Sequence, residues 1–301
     1  MAGAVIAIGR AVLDRIWELE ELPRAAEKQQ TLGMRESGGG IAATAALAVA
    51  GLGGKVSWWG RLGFDSAGDF LLKWFRDHGV DVPAGAQMET ATTPVSVVLV
   101  DRRGERWIGI PANPRLPPDP SWLPIDEVAD AGAIVVDHRW EAACERVFAA
   151  ARHLPRVLDG ELGDPAMLRR LIPQVNHAVF SGGGLAEMTG TDAPEDGLAA
   201  AAALAAPGTV VGVTLGEAGS VWRDPDGSLR RQPAFRVVAR DTTGCGDVFH
   251  GAYALALAEG KDPRAAARFA SAAAAVKAER GQGWAGMPDR AAVDAIMMKG
   301  E

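Results

Sequence analysis

Apolar positions in this chain alternate between two rhythms. Short uninterrupted runs recur at 5–8, 56–59, 133–136, 157–158, 178–180 and 210–214. Such runs read as strands buried on both faces. Between them lie longer stretches whose apolar residues recur at helical spacing, over 41–52, 66–78, 141–153, 165–172 and 198–206. Two more, rich in alanine, follow at 247–259 and 263–279. Strand followed by helix, repeated, predicts α/β architecture: a three-layer, mostly parallel sheet flanked by helices. Ligands in such sheets gather beyond the carboxyl ends of the strands.

Two stretches break the rhythm. Residues 95–100 and 105–110 are strand-like, with only Arg102-Arg103-Gly104 as a turn, and so read as a hairpin. Together with parts of 13–36 they are assigned to a small antiparallel β lid, contributed by about 13–36 and 92–112. A second small hairpin is expected at 220–223 and 229–232, around Asp226-Gly227. The proline-rich stretch 111–124 reads as an ordered connector, and there is no internal repeat. The whole chain, 1–301, is expected to be a single domain.

Composition narrows the function classes. The chain has 301 residues, 48% apolar and 23% charged, enough to bury a core without staples. Its net charge of −7 argues against a nucleic-acid or anionic-membrane partner. The two cysteines, Cys144 and Cys245, belong to no metal-ligand spacing. The first apolar run follows no basic segment and reads as a strand, and no run reaches ~18 apolar residues. A cytoplasmic location is therefore expected.

The sharpest chemistry lies in Asp241-Thr242-Thr243-Gly244-Cys245-Gly246-Asp247, just before a helical pattern. Its glycines let backbone amides converge, and the helix start adds a positive dipole end, which suits a phosphoryl group. Asp247 stands within reach of whatever is held there; the plainer reading makes it a helix cap. Cys245, a thiol at a helix N-terminus, is expected to have a depressed pKa and to react readily. Gly38, Gly39 and Gly40 precede a helix and permit close approach by a ligand. Gly281 to Gly286 matches GxGxxG but follows a helix, so it reads as a loop beside the nucleotide and not as a dinucleotide fingerprint. The histidines are scattered and read as packing residues; His250, one turn beyond Asp247, could tune that site.

The seven-residue string resembles the DTxGAGD signature of the ribokinase-type (PfkB) family of carbohydrate kinases, with Cys245 in place of alanine. The resemblance spans nearly the whole chain: GRAVLDR at the start, SGGGIAATAALAVAGLGG at 37–54, the 58–80 segment, and VTLGEAGS at 213–220. It implies transfer of a phosphoryl group from ATP, with Mg2+, to a sugar hydroxyl. Asp247 would accept the proton, and the amides of Gly244, Cys245 and Gly246 would stabilise the phosphoryl oxygens. Asp14, Gly39, Gly40 and Thr44 would meet the sugar. Thr214, Gly216, Gly219 and Thr242 would meet the nucleotide. Two departures stand out. Thr44 replaces a sugar-contacting asparagine, and Ser181-Gly182-Gly183-Gly184 aligns with the family's NxxE segment, so the metal ligands are unassigned.

Several stretches, among them DHRW at 137–140 and VLDGE at 157–161, resemble 6-deoxy-6-sulfofructose kinases. There Lys28 and Arg139 would hold an anionic tail; a polar lid residue expected near Gly109 is missing, with Asn113 close by. The reading is an ATP-dependent kinase of a ketohexose-like sugar, anionic as a second choice. Two rivals remain: a nucleoside kinase, for which Trp17 and Trp107 could stack a base, and a non-catalytic sensor, which the presence of Asp247 disfavours. A homodimer through the lid is expected, because exposed apolar sheet edges are usually covered.

Overall fold

The computed structural model describes residues 3–25, 28–111 and 115–299; Asn113 and the last position of the expected lid segment lie outside them. In chain order, β1 (Ala4–Ile8) leads into β2 (Val12–Leu19) and β3 (Gly33–Gly39). Helix α1 (Ile41–Gly51), β4 (Val56–Trp59), β5 (Leu62–Gly63) and α2 (Ser66–Asp77) follow. Next come β6 (Gln87–Met88), β7 (Val95–Asp101), β8 (Arg106–Gly109), β9 (Ala131–Asp137) and α3 (Glu141–Ala150). Then β10 (Arg156–Gly160) and α4 (Pro165–Leu171) precede β11 (His177–Ser181), α5 (Gly182–Thr189) and α6 (Pro194–Leu204). Last are β12 (Val210–Thr214), β13 (Ser220–Arg223), β14 (Leu229–Gln232), α7 (Cys245–Ala258), α8 (Pro263–Arg280) and α9 (Arg290–Lys299).

The main sheet has eight strands in the order β14-β13-β12-β11-β10-β9-β1-β4, parallel from β12 to β4. The hairpin β13–β14 closes one edge antiparallel, as expected. Each central strand feeds both faces. Val5 and Ala7 of β1 join the layer of α1, α2, α7 and α8, while Ile6 and Ile8 join the layer of α3 to α6. Strands buried on both sides have no polar positions to spare, which is why they read as unbroken apolar runs.

The lid is a four-stranded sheet in the order β3-β2-β7-β8. Its outer pairs are antiparallel and its central pair, β2 with β7, is parallel, Asp14 opposite Ser96. Besides the parallel pair inside the lid and helix α9, which the apolar pattern did not mark, three elements differ from the sequence expectations. The glycine cluster is the end of strand β3. Helix α5 starts on three glycines, because the Ser181 hydroxyl accepts a hydrogen bond from the Gly184 amide and caps it. Helix α7 begins at Cys245, so Asp247 lies within its first turn.

Alanine-rich helices let backbones approach. A Cβ on Gly251 of α7 would sit 2.4 Å from the Ala45 carbonyl oxygen of α1. This close pair brings the N-termini of α1 and α7 side by side at the carboxyl edge of the sheet.

Candidate active site

A cavity of about 560 Å³ lies between the lid and that edge. Alternate lid residues face it: Val12, Asp14 and Ile16 on β2, Ser96, Val98 and Val100 on β7. The period of two is the strand's own. Gly39, Gly40, Thr44, Arg139, Gly244 and Asp247 also line it, so these expected site residues are brought together. Cys245 and Gly246, and on the expected nucleotide side Thr214, Gly216, Gly219 and Thr242, do not line this cavity. Thr214 ends β12, its hydroxyl donating to the Phe180 carbonyl (3.3 Å). Gly216 (φ 59) and Gly219 (φ 87) form the following turn, in backbone conformations that favour glycine.

The glycines of β3 are there for contact. A Cβ on Gly38 would fall 1.9 Å from the Trp284 ring, and one on Gly39 would fall 2.2 Å from an Asp14 carboxylate oxygen. Trp284 is buried, and its indole N–H donates to the Thr44 hydroxyl (2.9 Å). The 281–286 loop is therefore part of the floor beneath β3, and Thr44 takes a structural bond as well as a cavity position. Asp14 accepts a hydrogen bond from the Ser96 hydroxyl. Burial pushes the Asp14 pKa up, against the opposing pull of Ser96 and Arg35.

The turn before α7 is anchored to the lid. The Asp241 carboxylate accepts from the Thr243 amide (2.7 Å) and from the Arg106 guanidinium of β8 (2.6 Å). Arg106 also donates to the Thr243 hydroxyl. Gly244, at φ 75, makes the left-handed step into the helix. The Cys245 amide donates to the Thr242 carbonyl (3.2 Å), so among the three expected amides it already has a partner.

Burial lifts Asp247 well above the usual carboxylate range; Asp159, Glu161 and Asp137 add to this, and His250 opposes it. An ordinary pKa, which chemistry alone would allow, is not what the surroundings produce. Lys277 of α8, 1% exposed, lines the same cavity and donates to the Gly281 carbonyl (3.2 Å). Ser96, Arg106, Lys277 and Trp284 are site residues that motif reasoning missed.

The Cys245 expectation is corrected. Burial pushes its thiol up to about 11, outweighing the cations Lys277 and Arg106. Thiolate is scarce near neutral pH, and slow reaction follows. Thiol-reagent titration at pH 7.5 should modify Cys245 no faster than a model thiol, and Cys245→Ala should retain turnover. Rapid, ATP-protected labelling would contradict the buried assignment.

Lys28 and Arg139 do not converge. Lys28 is exposed and does not line the cavity. Arg139 does, but its guanidinium is bonded to the Asp137 carboxylate (3.0 Å) and the Leu162 carbonyl (2.8 Å). Asp137 also accepts from the Arg10 amide (3.2 Å). Burial would raise the Asp137 pKa, yet Arg139 and His138 hold it below the usual range. Trp17 and Trp107 do not line the cavity either, and Trp107 is exposed on the lid.

Among the described residues no group of three or more His, Cys, Asp or Glu side chains forms a metal site. The residues thus supply no cage for Mg2+, an ion that is commonly carried on phosphates with one or two carboxylates.

The pfkB family carbohydrate kinase model matches residues 3–290. The chain belongs to this family. It is 28% identical over 301 residues to a ribokinase of Bacillus subtilis (strain 168), covering 97% of this chain and 99% of that protein. It is 31% identical over 229 residues to a fructokinase of Klebsiella pneumoniae, covering 70% and 74%. The structure of Arabidopsis thaliana ribokinase complexed with ribose and ATP superposes with a TM-score of 0.86 at 26% identity, covering 99% of each chain. This carbohydrate kinase therefore has the ribokinase-like architecture over its whole length. None of these three points to a sulfofructose substrate. Among the described residues, no helix is long and apolar enough to cross a membrane.

Proposed function

We propose that this carbohydrate kinase transfers the γ-phosphoryl group of ATP to a hydroxyl of a ketohexose-like sugar. The observation that carries the reading is one cavity holding Asp14 on the lid and Asp247 in the first turn of α7. The sugar lies under the lid, hydroxyls toward Asp14 and the β3 glycines. Asp247 takes the proton as the sugar oxygen attacks the γ-phosphorus. The bond to ADP breaks, and the helix end with the amides of Gly244 and Gly246 stabilises the phosphoryl oxygens. Thr214, Gly216, Gly219 and Thr242 would hold the nucleotide beyond the cavity, with Mg2+ riding on its phosphates.

An anionic sugar loses support, because the Lys28–Arg139 pair does not form. A nucleoside loses it too, because among the described residues no aromatic side chain of the lid lines the cavity. A phosphorylation panel with ATP decides: fructose, ribose, 6-deoxy-6-sulfofructose and adenosine. Fructose or a related ketohexose should give the highest kcat/KM. Preference for ribose would move the assignment to pentoses, and phosphorylation of none would remove the kinase reading of this site.

The lid's outer face exposes Met34, Val97 and Trp107 at 56%, 40% and 55%. We read it as the contact with a second copy. Light scattering should give a dimer mass, and Trp107→Glu should give a monomer.

A further inference from the structure

His250 lies at the base of the catalytic turn, 2% exposed, and each of its ring nitrogens faces oxygen acceptors. Nδ1 is 2.7 Å from the Gly246 carbonyl oxygen and 2.9 Å from a carboxylate oxygen of Asp159. Nε2 is 3.0 Å from the Val179 carbonyl oxygen. A neutral imidazole has one donor and one acceptor nitrogen. With a proton on Nδ1 alone, the Nε2 lone pair would point at a carbonyl. With a proton on Nε2 alone, the Nδ1 lone pair would point at a carboxylate and a carbonyl. Only the doubly protonated ring satisfies both ends.

The three acceptors belong to three elements. Asp159 is the penultimate residue of β10, Val179 is in β11, and Gly246 is the residue before Asp247 in α7. The ring therefore ties the first turn of α7 to two central strands. We propose that His250 is a positioning residue whose ring is doubly protonated through the neutral range: its imidazolium clamps the turn bearing Asp247 to the sheet and opposes the protonation of that carboxyl that its acidic neighbours favour.

The electrostatics of the neighbourhood agree. From β10 and the residue beyond it come Asp159 and Glu161; β9 brings Asp137, with His138 next to it; α7 itself supplies Asp247. Lys277 approaches Asp247 from α8, Arg139 binds Asp137 just beyond β9, and the neighbouring turn of α1 carries no charge, only Thr44 and alanines. Burial would discharge an isolated imidazole, but Asp159 reverses this and His250 is pushed up to about 9. Arg139 is the direct partner of Asp137 and Lys277 approaches Asp247 from α8, while His250 is the buried cation in contact with Asp159 and sits on the catalytic helix itself. Asp159 stays buried at 2% exposure because this cation meets it.

The proposal rests on the sugar-kinase reading only for its kinetic arm. Nitrogen-15 NMR of the ligand-free protein reads the ring directly. Between pH 6 and 8, His250 should show two protonated nitrogens; one protonated and one bare nitrogen would overturn the proposal whether or not any sugar is phosphorylated. The kinetic arm uses the sugar that the panel selects. In His250→Gln the low-pH limb of kcat/KM should move up by about one unit or more, because the carboxylates lose their cation. In His250→Gln/Asp159→Asn the limb should move back down. A merely structural role predicts lost activity with an unmoved limb, and that result would overturn the charge assignment.

Discussion

Asp247→Asn should lower turnover by about 100-fold or more while leaving the KM for ATP and for sugar within a few-fold. Asparagine keeps the size of the side chain but cannot accept the hydroxyl proton. The pH dependence gives a second mark of the same residue. Asp247 works only when ionised, and its pKa is raised by burial first and by Asp159 next. Wild-type kcat/KM should therefore fall as pH drops through a limb well above the ordinary value of 3.8. The residual rate of Asp247→Asn should lack that limb. The sign for stability is opposite. A carboxyl with a raised folded pKa binds its proton more tightly in the fold, so it favours the native state at low pH. That contribution is lost as pH rises from the unfolded value through the folded one. At pH 8 Asp247→Asn should thus unfold at a higher temperature than wild type while working far more slowly. Loss of stability together with near-normal turnover would remove Asp247 from catalysis.

The parallel core was legible because its strands are buried on both faces and leave unbroken apolar runs such as 133–136. The string 241–247 was legible because glycines and an aspartate at a helix start have few other uses together. What stayed hidden depends on partners far apart in sequence. Arg106 of the lid meets Asp241 across 135 positions, and Trp284 meets Thr44 across 240. Nothing local marks either pair. Ser96 was within reach: the period of two in 95–100 puts it on one face with Val98 and Val100, and a polar residue on such a face is a signal. Burial misled most at Cys245, where the helix N-terminus suggested a reactive thiol, and the structure adds Lys277 and Arg106 as nearby cations. Removal from water outweighs them, and sequence carries no direct record of depth. The Lys28–Arg139 pair failed for a related reason. Charge and family position are visible in a sequence, but not that Asp137 already holds Arg139.

Asp14 tests the sugar side of the cavity as Asp247 tests the phosphoryl side. It lies on β2, faces the cavity, accepts from Ser96, and packs against Gly39 so closely that a Cβ there would collide with its carboxylate. Asp14→Asn keeps an oxygen for Ser96 but removes the charge and turns half of the group into a donor. Hydrogen bonds to a charged group contribute ~1.5–3 kcal/mol each, so one lost sugar contact corresponds to a KM increase of about 10- to 100-fold. The KM for ATP should stay within a few-fold of wild type, and kcat should change less than the sugar KM. Burial raises the Asp14 pKa, so in wild type the sugar KM should worsen as pH falls and the carboxylate takes up a proton. In Asp14→Asn that part of the pH dependence should vanish. Saturation curves for sugar and for ATP, measured at three pH values on both proteins, separate the outcomes. A rise confined to the sugar KM, flattened against pH, places the sugar hydroxyls on Asp14. Equal losses toward sugar and ATP would instead mean that Asp14 serves the lid, through Ser96 and the close packing of Gly39, and that the sugar is held by other residues of the cavity.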